Sequence, residues 1–273
     1  MHRFFFENSQ NSEACRHTEN IPGNSERMAE NPRNVFNPPS TIVSLSQEES
    51  RHAISVLRLM PKSEIILLDG LGHVFSAVII STEASRVMAR ITGTMPDNEP
   101  EIKVTLYQGL PKADKMERIA QKCTELGVHA IQPVVFSRCD KVSGKNIDKS
   151  NQRYKRIVRE AVKQCGRGYV PTVAYPIPFD DALPMIGSHG QVFAAWEEEH
   201  DTRIADVYST DVLSPRMRDI AIVIGPEGGI APSEIDRLLS SGARSVTLGK
   251  RILRTETAGM AALTVVMTLA GEI

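Results

Sequence analysis

Two stretches near the carboxyl end of the chain carry residue types that chemistry needs. The first, Gly225-Pro226-Glu227-Gly228-Gly229, follows directly on the apolar run Ile220-Ala221-Ile222-Val223-Ile224. Glycines there admit unusual dihedrals and let a ligand come close to main-chain N–H groups. The stretch is not G-x-G-x-x-G and lacks the Lys-Ser/Thr of a P-loop, which disfavours a Rossmann dinucleotide site and a Walker NTPase. Taken alone, it also reads as a glycine-rich turn into a helix. The second stretch, residues 248–258, places Lys250, Arg251 and Arg254 beside Glu256 and the hydroxyls of Thr255 and Thr257. A bland account has Thr255 capping a helix and Glu256 complementing its dipole, each contributing ~1 kcal/mol or less. That account leaves Arg254 and the apolar pair Ile252-Leu253 with no reason to sit in a loop.

A third feature is electrostatic. Between residues 141 and 170, nine cations (Lys141, Lys145, Lys149, Arg153, Lys155, Arg156, Arg159, Lys163, Arg167) face two carboxylates, Asp148 and Glu160. The local charge is +7 in a chain of formal net charge -1. An excess without matching acids is the footprint of a surface for a phosphate backbone, although charge runs are also ordinary solvated helix faces.

The elements that must position these residues fall into two patterns. Residues 64–69, 74–80 and 86–91 are short β-like segments separated by the turn signals Asp69-Gly70-Leu71-Gly72 and Ser81-Thr82, and a helix is predicted before them over 48–59. Residues 93–100, with two prolines and no periodicity, read as a linker. Beyond it, strands are predicted at 102–106, 130–136, 191–196, 220–225 and 245–248. They alternate with helices carrying Met116, Ile119, Ala120 and Cys123, then Tyr154, Ile157, Val158, Ala161 and Val162, then Ile235, Leu238 and Leu239 behind Pro232, and last residues 257–270. Strands separated by helices imply parallel pairing and an α/β domain, whose ligands collect beyond the carboxyl ends of the strands. Residues 7–40, rich in Asn, Ser, Glu and Pro, read as a flexible insertion.

Composition bounds the rest. The length of 273 residues suggests two domains, and 32 basic against 33 acidic side chains exclude a polycation or an acidic tail as the main identity. Aromatic residues at 5% are too scarce for a wall of stacking rings. The four cysteines are widely spaced with no C-x-x-C pair, which indicates neither a disulfide framework nor a metal site. The amino terminus has no signal-peptide core, and the longest apolar stretch, residues 260–270, is too short to span a bilayer. A soluble, cytoplasmic protein is expected.

Ile222-Val223-Ile224-Gly225-Pro226-Glu227-Gly228-Gly229-Ile230, followed by Leu248-Gly249 and Arg251-Ile252-Leu253-Arg254-Thr255-Glu256-Thr257-Ala258, resembles the signature of the ribosomal small-subunit (16S) uracil-N3 methyltransferases of the SPOUT superfamily. Lys122-Cys123-Thr124-Glu125-Leu126-Gly127-Val128, Glu160-Ala161-Val162-Lys163-Gln164-Cys165-Gly166-Arg167 with Pro171, and His2-Arg3-Phe4-Phe5 add to it. His52, Val56-Leu57-Arg58 and the Asp69-Gly70 turn are similar to the family's PUA-like domain. Two departures stand out: the insertion at 7–40 is long for the family, and Lys163 stands where the family often has Glu.

The resemblance implies a PUA-like RNA-binding β-barrel domain over residues 1–95 and, over 96–273, a SPOUT-type α/β methyltransferase domain with a parallel sheet, knotted by threading of its last part. It implies S-adenosylmethionine as methyl donor, held by Trp196 and Glu197 in one loop, by Gly225, Pro226, Glu227, Gly228 and Gly229 in a second, and by Leu248, Gly249, Ile252 and Leu253 in a third. It further implies a homodimer, and small-subunit ribosomal RNA or the assembled subunit as partner, contacted by Arg3, His52, Arg58, Arg153, Arg156, Lys163 and Arg167. N3 of uracil is a poor nucleophile until its proton leaves, so the enzyme must stabilise the anion that develops on the ring oxygens. Arg254 is expected to do this, with Arg167 second; Glu227, Glu256 or solvent would take the proton, and no metal is required. An RNA-binding assembly module without turnover, and a SPOUT enzyme acting on transfer RNA or another nucleotide, remain as other readings.

Overall fold

The computed structural model describes residues 1–7, 41–83, 86–112, 114–140, 147–210 and 214–273. The expected insertion, beyond Glu7, and the cations Lys141 and Lys145 lie outside the described residues. The chain divides into two compact units, Met1–Asn98 with Gly166–Tyr169, and Glu99–Cys165 with Val170–Ile273.

In the first unit, β1 (His2–Glu7), β2 (Ile42–Leu45), β3 (Glu64–Leu68), β4 (Val74–Ser81) and β5 (Met88–Met95) close a barrel in the order β1-β2-β5-β4-β3. The two-residue period of the sequence decides which side chains fill it: Ile65 and Leu67, Phe75, Ala77 and Ile79, and Ala89 and Ile91 pack inward around Phe4 and Phe6. The Asp69 carboxylate shapes the turn between β3 and β4 by accepting the backbone N–H groups of Leu71 at 2.7 Å and His73 at 3.0 Å.

The helix expected over 48–59 is shorter. It runs as α1 (Gln47–Arg51) and widens into a π-helical turn, His52–Val56. Arg58 then takes a positive φ of 53° and Leu59 N–H donates to Ala53 C=O at 3.0 Å, a left-handed closure that ends the helix ahead of Pro61. The linker is also shorter than the sequence suggested. Residues 93–95 belong to β5, whose Met95 pairs with Val74, and Pro96, which has no N–H to donate, ends the pairing. Nor did the sequence indicate that residues 166–169 group with the barrel, where Gly72 N–H donates to Gly168 C=O at 3.2 Å.

The second unit is a parallel sheet of β6 (Lys103–Gly109), β7 (Ala130–Val135), β8 (Thr172–Val173), β9 (Ile177–Pro178), β10 (Gln191–Ala195), β11 (Asp219–Ile224) and β12 (Arg244–Val246). The order is β12-β10-β11-β6-β7-β8, with β9 beside β7. Helices α2 (Lys115–Glu125), α3 (Ile147–Cys165), α5 (Ile204–Val207) and α7 (Thr255–Leu269) cover one face, and α4 (Phe179–Gly187) and α6 (Pro232–Ser240) cover the other. Coverage on both faces explains why β11 reads as an unbroken apolar run: Ile220 to Ile224 are all at most 2% exposed. At ~1.5–3 kcal/mol for each large apolar side chain, this double burial is the main support of the unit. Helix α4 has no clear signal in the sequence, because it is nine residues long and contains Pro184.

The strand order fixes where a ligand can sit. From β6 the chain moves outward to β7 on one side, whereas from β11 it moves through α6 to β12 on the other. The loops after these adjacent strands therefore part, opening the crevice at which open α/β sheets bind ligands. A five-stranded closed barrel in the first unit and a parallel sheet covered by helices in the second are the barrel and the α/β domain expected from the resemblance.

Candidate active site

Three loops at the carboxyl ends of β10, β11 and β12 are tied to one another. The turn after β11 reverses at Gly229, whose φ is 73° and whose N–H donates to Pro226 C=O at 3.0 Å. The positive φ favours glycine at 229, and the position lies against the Glu197 carboxylate, which brings the first and second loops together. Gly109, at the end of β6, is likewise pressed against the turn, and a Cβ there would lie 2.3 Å from the Pro226 nitrogen. On the far side, Arg138 donates to Gly228 C=O at 3.1 Å.

Glu199 ties the first loop to β12. Its carboxylate accepts from the Ser245 hydroxyl at 2.7 Å and from the backbone N–H groups of Asp201 and Thr202 at 3.0 and 3.1 Å. These bonds, the one from Ser245 foremost, pull its pKa down to about 2. Thr247 N–H donates to Thr202 C=O at 2.7 Å, which draws the chain off β12 earlier than the strand predicted over 245–248. The third loop then presents Ile252, 84% exposed, with Leu248 and Leu253 half-buried on the core.

The second and third loops meet at Thr255. Its hydroxyl donates to Gly225 C=O at 2.7 Å and accepts from the Gln108 amide at 2.8 Å, all three groups being buried. The sequence suggested Thr255 as the cap of the last helix; instead Arg254 occupies the N-cap position and Thr255 is the cross-link, so α7 starts two residues before the predicted 257. The Arg254 C=O accepts the backbone N–H groups of Thr257 and Ala258, both at 2.8 Å, while its exposed guanidinium makes no hydrogen bond or ion pair among the described residues.

Glu227 and Glu256, the two carboxylates singled out by sequence, converge on one cation, Lys115, at 2.8 and 3.5 Å. Glu227 also accepts the Lys112 N–H at 3.0 Å. Partial burial would raise the Glu227 pKa, but the hydrogen bonds from Lys115 and the Lys112 N–H outweigh it and hold the carboxyl below its ordinary value. Three buried polar atoms in this region have no hydrogen-bond partner among the described residues: Gln108 Oε1, Trp196 Nε1 and Glu256 Oε2.

Sequence reasoning missed Lys115 and Gln108. A signal for Lys115 existed, because a cation on the first residue of a helix opposes the macrodipole and needs another reason to be there. Gln108 gave none; its partner Thr255 is 147 residues away.

The RNA-contact candidates are dispersed. Arg3 lies on β1, and His52 and Arg58 flank the π-helical turn; all three belong to the barrel unit. Arg153, Arg156 and Lys163 lie on α3. The expectation that these cations lack matching acids needs correction. Arg153 pairs at 2.7 Å with Glu117, which α2 supplies from outside the local window, and Lys163 pairs at 2.7 Å with Glu160. Arg167 departs from the surface role assigned to it, being only 4% exposed and grouped with the barrel unit. No group of three or more His, Cys, Asp or Glu among the described residues could hold a metal ion, and no helix among them is long and apolar enough to cross a membrane.

Two family models match the chain: an RNA methyltransferase domain over residues 98–267 and an RNA methyltransferase PUA domain over residues 45–92. The Bacillus subtilis ribosomal RNA small subunit methyltransferase E is 34% identical over 226 residues, covering 82% of this chain and 88% of that relative. The chain belongs to the ribosomal RNA small subunit methyltransferase E family. A family member from Neisseria gonorrhoeae, solved with S-adenosylmethionine bound, superposes with a TM-score of 0.75 at 32% identity and covers 98% of both chains. A Legionella pneumophila protein, also solved with that cofactor, gives 0.74 at 29% identity, covering 86% of this chain and 95% of that one.

The residues present suit the family's cofactor. Glycine turns leave the backbone accessible, Leu248, Ile252 and Leu253 offer an apolar surface for an adenine, and the unpartnered indole N–H of Trp196 awaits an acceptor.

Proposed function

We propose that this family member transfers a methyl group from S-adenosylmethionine to N3 of one uridine in small-subunit ribosomal RNA, free or assembled, working as a cytoplasmic homodimer. The observation that carries the site is the hydrogen bond from the Thr255 hydroxyl to Gly225 C=O, because it ties the first residue of α7, directly after Arg254, to the glycine turn. Bound S-adenosylmethionine supplies an electrophilic methyl carried on a sulfonium.

The chain's residues do the rest. In this reading the loop residues Trp196 and Glu197, Gly225 to Gly229, and Leu248, Gly249, Ile252 and Leu253 bind and orient the donor. Arg254, one residue before Thr255, has an exposed and uncommitted guanidinium, fitted to stabilise negative charge as the uracil loses its N3 proton. Between the two carboxylates, Glu227 is held by hydrogen bonds from Lys115 at 2.8 Å and the Lys112 N–H at 3.0 Å, whereas the buried Oε2 of Glu256 makes no hydrogen bond and meets the same ammonium only as a longer ion pair at 3.5 Å. Glu256 is therefore the better proton acceptor, by hydrogen-bonding capacity. Arg3, His52 and Arg58 in the barrel unit and Arg153, Arg156 and Lys163 on α3 would hold RNA, whose base must leave its stack at a cost of a few kcal/mol. Arg167, being buried, would act by supporting structure.

Mass spectrometry of ribosomal RNA from a strain lacking the protein tests this directly. The reading predicts loss of one methyl from one small-subunit uridine, restored by the wild-type gene and not by Arg254→Ala. An unchanged methylation map would contradict it.

A further inference from the structure

Lys115 opens α2 against the helix dipole, yet its side chain is only 22% exposed and its ammonium stands between carboxylates from two separate parts of the chain. Glu227 Oε1 of the glycine turn lies at 2.8 Å and Glu256 Oε2, in the first turn of α7, at 3.5 Å. The same Glu227 oxygen accepts the backbone N–H of Lys112, in the loop after β6, at 3.0 Å. The loops that part at the crevice are thus joined again through one cation. Lys112 cannot substitute for it, because its own ammonium is taken by Asp140 at 2.6 Å.

We propose that Lys115 is a positioning residue of the methyl-transfer site: its ammonium pins Glu227, and with it the glycine turn, to the loop after β6, and leaves Glu256 as a charged neighbour with accepting capacity to spare. The role rests on the function proposed above. It differs from generic packing because it acts through charge, and this makes it measurable. With Lys115 in place, the Glu227 carboxyl is held below its ordinary value against the effect of partial burial. Without Lys115, burial is opposed by less, and the carboxyl titrates at higher pH. The other groups around Glu227 stay the same in such a variant: Lys112 with Asp140 after β6 and β7, Arg138 on Gly228 C=O, Cys139 and Glu234 behind the turn, and Glu256 on α7. A carboxylate with a depressed pKa keeps its contact well into acid, so releasing it moves the acid limb of binding upward in pH.

Isothermal titration of S-adenosylmethionine into the full chain over the acid-to-neutral range, for wild type, Lys115→Ala and Lys115→Arg, tests the proposal. Lys115→Ala is expected to bind about tenfold more weakly at neutral pH, with its acid limb at higher pH than that of wild type. Lys115→Arg should restore most of both, since a guanidinium can hold both carboxylates. Should Lys115→Ala fail to fold by circular dichroism, Lys115→Gln, which keeps most of the side-chain length, is expected to show the same limb shift. Wild-type binding with unchanged affinity in Lys115→Ala overturns the role of Lys115 alone. So does a loss that is equal at every pH and not rescued by arginine. Absence of heat with wild type overturns the parent reading and this one with it.

Discussion

Two polar networks in the parallel-sheet unit differ in how completely they close. In one, the Tyr107 hydroxyl meets His189 Nε2 at 3.0 Å, and His189 Nδ1 meets the Asp219 carboxylate at 2.9 Å at the amino end of β11. Each group has its partner. The other lies at the carboxyl ends of the strands, where Gln108, Thr255, Gly225, Lys115, Glu227 and Glu256 are linked but Gln108 Oε1, Trp196 Nε1 and Glu256 Oε2 remain buried without hydrogen bonds. An unmet buried polar atom costs ~1–3 kcal/mol. A closed network needs only stability as its reason, whereas an open one points to a bound group that completes it.

The contrast can be broken by substitution. The largest effect is expected for Arg254→Ala. Single-turnover methylation at saturating cofactor and RNA should fall by about a hundredfold or more, as for loss of one charge-stabilising donor, while S-adenosylmethionine affinity stays near wild type. Retention of wild-type turnover would remove Arg254 from the chemistry. Next comes Thr255→Val, which strands Gly225 C=O and the Gln108 amide; urea unfolding should show ~1–3 kcal/mol of lost stability, accompanied by weaker cofactor binding. At the closed network, Tyr107→Phe should cost only ~0.5–1.5 kcal/mol and leave methylation intact. If methylation collapsed there too, the distinction between the two networks would be void.

Glu199 sharpens the comparison through pH. Its pKa of about 2, against 4.5 for an ordinary glutamate, means that its hydrogen bonds stabilise the fold fully above the ordinary value. That contribution is lost as pH falls toward about 2. Glu199→Gln should therefore lower the thermal midpoint at neutral pH, with the gap to wild type closing through the acid range. The smallest effect is on α3: reversing Arg156 should flatten the salt dependence of RNA binding by about one unit of slope, and reversing Arg153 by less, because Glu117 already engages it. Equal slopes in filter binding would return α3 to an ordinary solvated face.

Much of this arrangement was legible from residue order. The period-2 alternation of Ile65, Leu67, Phe75 and Ala77 marked the barrel strands, and the unbroken run Ile220 to Ile224 marked a strand buried on both faces. Glycines at 225–229 and charges at 250–256 marked the two decisive loops because special backbone geometry and crowded charge are local properties. What escaped was long-range. Lys115 and Glu227 are 112 residues apart, Arg153 and Glu117 meet only when α3 packs on α2, and nothing near residues 166–169 shows that they group with the barrel. The linker expected from residue 93 begins later because Gly93 reads locally as a loop residue, whereas in the fold it pairs with Ser76 on β4.

Hydrogen–deuterium exchange of the backbone amides, with and without S-adenosylmethionine, addresses the central claim most directly. The account predicts that the donor slows exchange together in residues 196–203, 225–231 and 247–254, and leaves the amides around His189 and Asp219 unchanged. Protection confined to one of those loops, or found elsewhere with none of them affected, would contradict it.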